Sequence, residues 1–113
     1  MNEVRNDYLA ALEADVITMH PGEYLTLSYV EPNKISPAAL AEGLGLPLQE
    51  VEHLLAEEMD LTAEMAVRLA LAFDRSAESW MAMQVAHSLM QARQKVDPAS
   101  VRPFARLSRV DAA

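Results

Sequence analysis

The stretch PAALAEGLGLPLQEVEHLLA, Pro37 to Ala56, decides the fold. Pro37 and Pro47 both suit the first position of a helix, where a missing N–H removes no bond. Leu40 and Leu44 keep helical spacing after the first proline, and Val51, Leu54 and Leu55 keep it after the second. Gly43 and Gly45 supply a tight break between them. A helix-turn-helix needs a small residue where its helices touch, a residue that tolerates positive φ in the turn, and apolar side chains that lock the second helix on the first. Ala41, Gly45 and the set Leu40, Leu44, Leu46, Val51 and Leu54 meet those needs within one unit. An ordinary helical hairpin in a bundle would use the same small residues, so Ala41 and Gly45 alone do not separate the two.

Outward from this unit, cap signals mark further helices. Ser36 is an N-cap for the helix that begins at Pro37. His20-Pro21-Gly22-Glu23 reads as an earlier start, with His20 as cap, Pro21 in the first position and Glu23 able to reach back to unpaired amides; this helix is expected to run to Tyr29 or Glu31, before Pro32. Thr62 caps a helix through Met65, Leu69 and Phe73, with Glu64 in its first turn. Ser76 caps another, with Trp80, Met83, Ala86, Leu89 and Met90 as its apolar stripe. Val4, Tyr8 and Leu12 suggest a short amphipathic helix near the N-terminus. Beyond Asp97-Pro98 the periodicity is weak and Arg102, Arg106 and Arg109 mark a tail or partner-binding arm. The expected organisation is an N-terminal extension over 1–19, a helical domain over 20–96 and a C-terminal tail over 97–113.

Composition supports an all-α class. The 113 residues are 51% hydrophobic and 23% charged, enough for one compact core, and only three are glycine. The absence of cysteine excludes disulfides, zinc-thiolate sites and thiol nucleophiles. No run approaches the roughly 18 apolar residues of a membrane span, and the N-terminus, with Glu3 and Asp7, lacks the basic and apolar regions of a signal peptide, so no membrane association and a cytoplasmic location are expected. His20, His53 and His87 have no spacing that puts two on one helix face, which argues against a metal site. Ser28, Ser36, Ser76 and Ser79 lie in no nucleophile motif, and there is no glycine-rich phosphate loop. Neither an enzyme nor a cofactor is expected. Trp80, with Met81 and Met83, reads as core or dimer seam before it reads as a ligand groove.

A wider pattern is more specific. His20-Pro21-Gly22-Glu23-Tyr24-Leu25, Tyr29-Val30-Glu31-Pro32, Leu40-Ala41 through Gly45-Leu46-Pro47, Leu61 through Ala70, and Ser79-Trp80-Met81-Ala82-Met83-Gln84 resemble, in order, the successive signatures of HigA-type antitoxins. These belong to the lambda-repressor-like (XRE) helix-turn-helix proteins, and the resemblance covers about residues 19–92. It implies a five-helix lambda-repressor-like domain, a homodimer, and a recognition helix from about Pro47 to Ala56 in the DNA major groove. It also implies repression of the protein's own operon and binding of a basic ribonuclease toxin.

The surface departs from that family. Its members usually carry polar or basic residues on the recognition helix, where this chain has Leu48, Glu50, Glu52 and His53. Pro37 replaces a common Gln, and Ala56-Glu57-Glu58 replaces an Asn-Gly-basic stretch. From Ile35 to Val67 there are seven acids and no Lys or Arg, and the chain's net charge is −8. Carboxylates repel phosphate and forfeit counterion release, although Glu can accept from cytosine N4 and Gln49 could read adenine. Two functions are therefore weighed. In the first, a double-stranded-DNA-binding repressor uses Ser36, Leu48, Gln49, Glu50, Glu52 and His53 toward bases or backbone, with Lys34 and Arg68 near phosphates. In the second, the fold persists but its acidic face docks a basic protein.

Overall fold

The computed structural model describes residues 18–104. Most of the N-terminal extension, with Val4, Tyr8 and Leu12, lies outside the described residues, as do Arg106 and Arg109. Within them are α1 (Pro21–Leu25), which continues as a π-helical stretch (Thr26–Val30), then α2 (Pro37–Leu44), α3 (Leu48–Leu55), α4 (Ala63–Ala72), α5 (Ala77–Lys95) and a closing 3₁₀ turn (Pro98–Ser100). The described residues are all-helical, with the five helices that the resemblance implied.

The predicted caps form as local hydrogen bonds. The hydroxyls of Ser36, Thr62 and Ser76 accept from the amides of Ala39, Met65 and Ser79 at 3.1, 3.2 and 3.1 Å, each satisfying an amide that the helix itself leaves unpaired. At α1 the ring of His20, and not Glu23, is the cap: its Nδ1 accepts from the Gly22 amide at 2.9 Å, and its Nε2 lies 3.0 Å from the Met59 carbonyl. An amide must donate and a carbonyl must accept, so these partners select the neutral tautomer with its proton on Nε2.

The first helix departs from expectation. Instead of one α-helix to Tyr29 or Glu31, the chain widens after Leu25, with the Glu31 amide bonded to the Thr26 carbonyl at 2.9 Å. Residues five apart stand about 140° apart on an α-helix; the wider turn brings Tyr24 and Tyr29 to one side. Both rings meet Trp80, at centroid distances of 5.6 and 6.2 Å. Phe73 lies against Tyr29 at 4.4 Å, and the Arg75 guanidinium sits 4.6 Å over the Tyr24 ring. The Tyr29 hydroxyl donates to Asp74 at 2.7 Å. Burial pushes its pKa up to about 12, and the hydrogen bond to Asp74 and that carboxylate's charge push the same way.

The core comprises Leu25, Leu40, Ala41, Leu44, Val51, Leu54, Leu61, Met65, Ala66, Leu69, Trp80 and Met83. It draws on all five helices, with α1 packed on α3 and α5, and α2 on α3 and α4. Leu46, Leu55 and Phe73 are partly buried against it. The stripe expected on α5 holds at Trp80 and Met83 but fails further on, since Leu89 is 43% exposed. Length explains the difference: α5 has 19 residues and α4 only 10, so α5 runs about 13 Å beyond what α4 can cover. Gln84 takes a buried place instead. Its Oε1 accepts from the Leu61 amide at 2.6 Å, and its Nε2 donates to Ser88 and Asp60 at 3.0 and 3.3 Å.

Gly45 turns α2 into α3 with φ 69°, and the Leu46 amide closes on the Ala41 carbonyl at 3.0 Å, the return bond of a glycine-ended helix. A side chain there would adopt a left-handed backbone, which costs about 1–2 kcal/mol, and its Cβ would stand 2.8 Å from Arg68 Nη1. Gly45→Val is therefore expected to lose about 2 kcal/mol or more in urea denaturation. A wild-type midpoint would contradict the positive φ of the turn. The end of α3 repeats the device with the wrong residue: Glu57 has φ 61°, and the Glu58 amide bonds to the His53 carbonyl at 2.9 Å. Glu57→Gly should stabilise the fold by about 0.5–1 kcal/mol, the left-handed penalty less the extra freedom glycine gives the unfolded chain. An unchanged or lowered melting temperature would refute it.

Candidate nucleic-acid interface

The amphipathicity of α3 sorts its residues. Val51 and Leu54 are buried; Leu48, Gln49, Glu52 and His53 stand exposed on the opposite face. The structure thus brings four of the candidate residues onto one solvent-facing crest of the second helix of the unit. Glu50 is also exposed but lines the cleft toward α4, together with Glu64 and Arg68.

Lys34 and Ser36 sit together at the start of α2. Lys34 is exposed, with φ 54°, and its amide bonds to the Glu31 carbonyl at 3.2 Å; Ser36 is exposed while its hydroxyl caps α2. Arg68 has intramolecular partners. Its Nη1 donates to the Leu44 carbonyl at 3.0 Å, and it pairs with Glu64 at 3.1 Å. The sequence suggested phosphate contact for Arg68; the geometry gives it the task of satisfying the last turn of α2. Arg75 is held by Tyr24, donating to its hydroxyl at 2.9 Å. Among the described residues, Lys34 is thus the cation nearest the crest in sequence whose side chain makes no hydrogen bond or ion pair, and the crest itself carries Glu52.

Two positioning roles escaped the sequence reading. Gln84 ties the loop after α3 to α5, and Arg68 ties the turn to α4. A polar residue inside the Trp80–Met83 stripe was the available signal for Gln84, because a buried amide requires partners. Among the described residues, no helix is long and apolar enough to cross a membrane, and no group of three or more His, Asp or Glu is placed to hold a metal ion.

No model of a protein family matches the chain. It is 37% identical over 76 residues to virulence-associated protein I of Dichelobacter nodosus, an alignment that covers 67% of this chain and 70% of that one. Among solved structures, a Pseudomonas aeruginosa protein in complex with its 28-base-pair operator DNA is 38% identical, with TM-score 0.67, covering 69% of this chain and 86% of the other. The Pseudomonas aeruginosa antitoxin HigA, solved with the higBA promoter, is 35% identical, with TM-score 0.69, covering 77% of this chain and 98% of the other.

Proposed function

The chain belongs to the HigA-type family of helix-turn-helix antitoxins, and from that membership we propose that it represses its own operon as the antitoxin of a toxin–antitoxin pair. The observation that carries this reading is the exposed crest of α3, braced by a glycine turn on α2 in a fold that relatives at 35–38% identity share in structures with operator or promoter DNA. The protein acts by binding and not by catalysis, in the cytoplasm, as a homodimer with double-stranded DNA and a basic ribonuclease toxin as partners. A net charge of −8 suits the toxin. Docking of a basic protein on the acidic face in place of DNA is not favoured, because the related structures hold operator or promoter DNA.

In this proposal Gln49 and His53 read base edges, Leu48 offers apolar contact to thymine methyl groups, and Glu52 accepts from cytosine N4. Glu50 borders the groove. Lys34 and Ser36 meet the phosphate backbone, with Arg68 behind them as the brace of the turn.

Fluorescence anisotropy with the protein's own promoter fragment and a scrambled duplex, from about 50 to 200 mM salt, tests it. Promoter-specific binding is expected, with a shallow slope of log K against log salt, about −2 if each copy of a dimer contributes Lys34. Gln49→Ala and His53→Ala should each weaken promoter binding by about tenfold or more while leaving scrambled-duplex binding unchanged. Failure of the folded protein to bind either duplex would overturn the repressor reading.

A further inference from the structure

Two clefts meet at the turn between α2 and α3. One, of about 350 Å³, lies between the end of α2 and α4, with Glu42, Gly43 and Leu71 on its walls. The other, of about 400 Å³, lies between α3 and α4, with Glu50, Glu64 and Met59 on its walls. Gly45 and Arg68 line both, so the two form one trough along α4. Leu71, on the α4 wall, is 85% exposed, more than any other large hydrophobic side chain among the described residues, and Val67, one turn earlier on the same helix, is 52% exposed. Glu64, Val67 and Leu71 make a stripe at helical spacing that the core does not use. We propose that this trough docks a basic, amphipathic segment of a partner protein, an inference that deepens the antitoxin reading and rests on it.

Charge chooses the occupant. Glu42, Glu50 and Glu64 are exposed along the trough, against Arg68 alone. That guanidinium already pairs with Glu64 and donates to the Leu44 carbonyl, so Glu42 and Glu50 stand uncompensated. Carboxylates beside exposed leucine and valine repel phosphate and attract Lys or Arg, whose long stems pack on apolar surface while their heads reach the acids. A nucleic acid is therefore unsuited to the trough. So is a second copy of this chain, which brings seventeen acids against nine Lys and Arg. The crest stays free, since Leu48, Gln49, Glu52 and His53 line neither cleft; the occupant binds beside DNA and does not replace it. The ten residues of α4 span about 15 Å, so a partner helix of about ten residues covers the trough. The α2 wall leaves room for its side chains, because a Cβ added at Gly43 would meet nothing within 4 Å.

A fluorescein-labelled amphipathic peptide of leucine and lysine, about 14 residues long, is titrated with the full chain at about 50 mM salt and followed by anisotropy. It is expected to bind, and the same peptide with glutamate in place of lysine is not. Leu71→Ser should weaken binding by about tenfold, and Gly43→Arg by about threefold or more. Neither should lower the melting temperature, because Leu71 is solvent-exposed and the space at Gly43 is empty. Glu23→Gln removes one carboxylate outside the trough and should leave binding within about twofold of wild type. An equal loss with Glu23→Gln would reduce the trough to bulk charge, and a loss with Leu89→Ser but not Leu71→Ser would place the peptide on α5. Either result, or no binding of the lysine peptide by the folded chain, overturns the proposal. Neither DNA nor toxin enters the assay, so its failure strikes this surface alone, while failure of promoter binding strikes the repressor reading.

Discussion

Gly22→Ala is expected to unfold the domain at temperatures where the wild type is stable. A Cβ at Gly22 would overlap the backbone carbonyl oxygen of Leu54, and would lie 3.0 Å from the carbonyl carbon and 3.2 Å from His20 Nδ1. None of these atoms is the free end of a flexible side chain. The carbonyl belongs to the last turn of α3, where the Leu54 side chain is buried, and the imidazole is held between Gly22 and Met59. Relief therefore requires α1 and α3 to separate, which also opens the packing around Leu25 and Leu54. Overpacking costs about 1–3 kcal/mol where side chains give way, and a backbone clash between helices belongs at or above the top of that range. For a domain of this size 3 kcal/mol lowers the melting temperature by about 12–24 °C. Alanine normally favours a helix over glycine, so propensity predicts the opposite sign. A melting temperature at or above that of wild type would mean that α1 and α3 do not approach this closely.

Trp80→Ala is expected to destabilise to a similar degree through a void. Trp80 is fully buried, and Tyr24 and Tyr29 pack their rings against it. Removing so large a side chain from a core costs about 3–5 kcal/mol. Trp80→Phe should cost much less. The indole N–H is buried without a hydrogen-bond partner, so its removal leaves no acceptor unsatisfied and deletes a desolvated donor. Chemical denaturation followed by far-ultraviolet circular dichroism gives both values. A nearly unchanged midpoint for Trp80→Ala would remove the indole from the core, and equal losses for both variants would show that the ring's full size, rather than its aromatic packing, is what the site requires.

The contrast between these positions shows what the sequence could reveal. Ser36, Thr62 and Ser76 bond to amides three residues away, so their roles follow from local spacing alone. Gly45 was legible for a related reason, because the turn closes on its own neighbours. Gly22 was not: its requirement comes from Leu54, 32 positions later. The π-helical stretch also escaped, because its cause is the placement of two tyrosine rings on Trp80, which only the folded core brings together. Leu89 shows the remaining kind of miss. Its spacing fits the α5 stripe, but spacing says nothing of where the neighbouring helix stops.

The crest of α3 was legible in the same partial way. Helical periodicity alone turns Leu48, Gln49, Glu52 and His53 outward once Val51 and Leu54 turn in. Periodicity could not show that Glu50 borders a cleft, nor that Arg68 is committed to the Leu44 carbonyl. Both depend on the position of α4.

That commitment bears on how this domain could be reused. The bond from Arg68 leaves the helix-turn-helix and reaches into the joint between its two halves, and the Gly22–Leu54 approach fixes the second half from the other side. The segment from Pro37 to Ala56 is thus not a transplantable cassette. Grafted into another scaffold it would keep its sequence and lose the angle between its helices, whereas a graft that carries Pro21 through Ala72 would bring its own bracing.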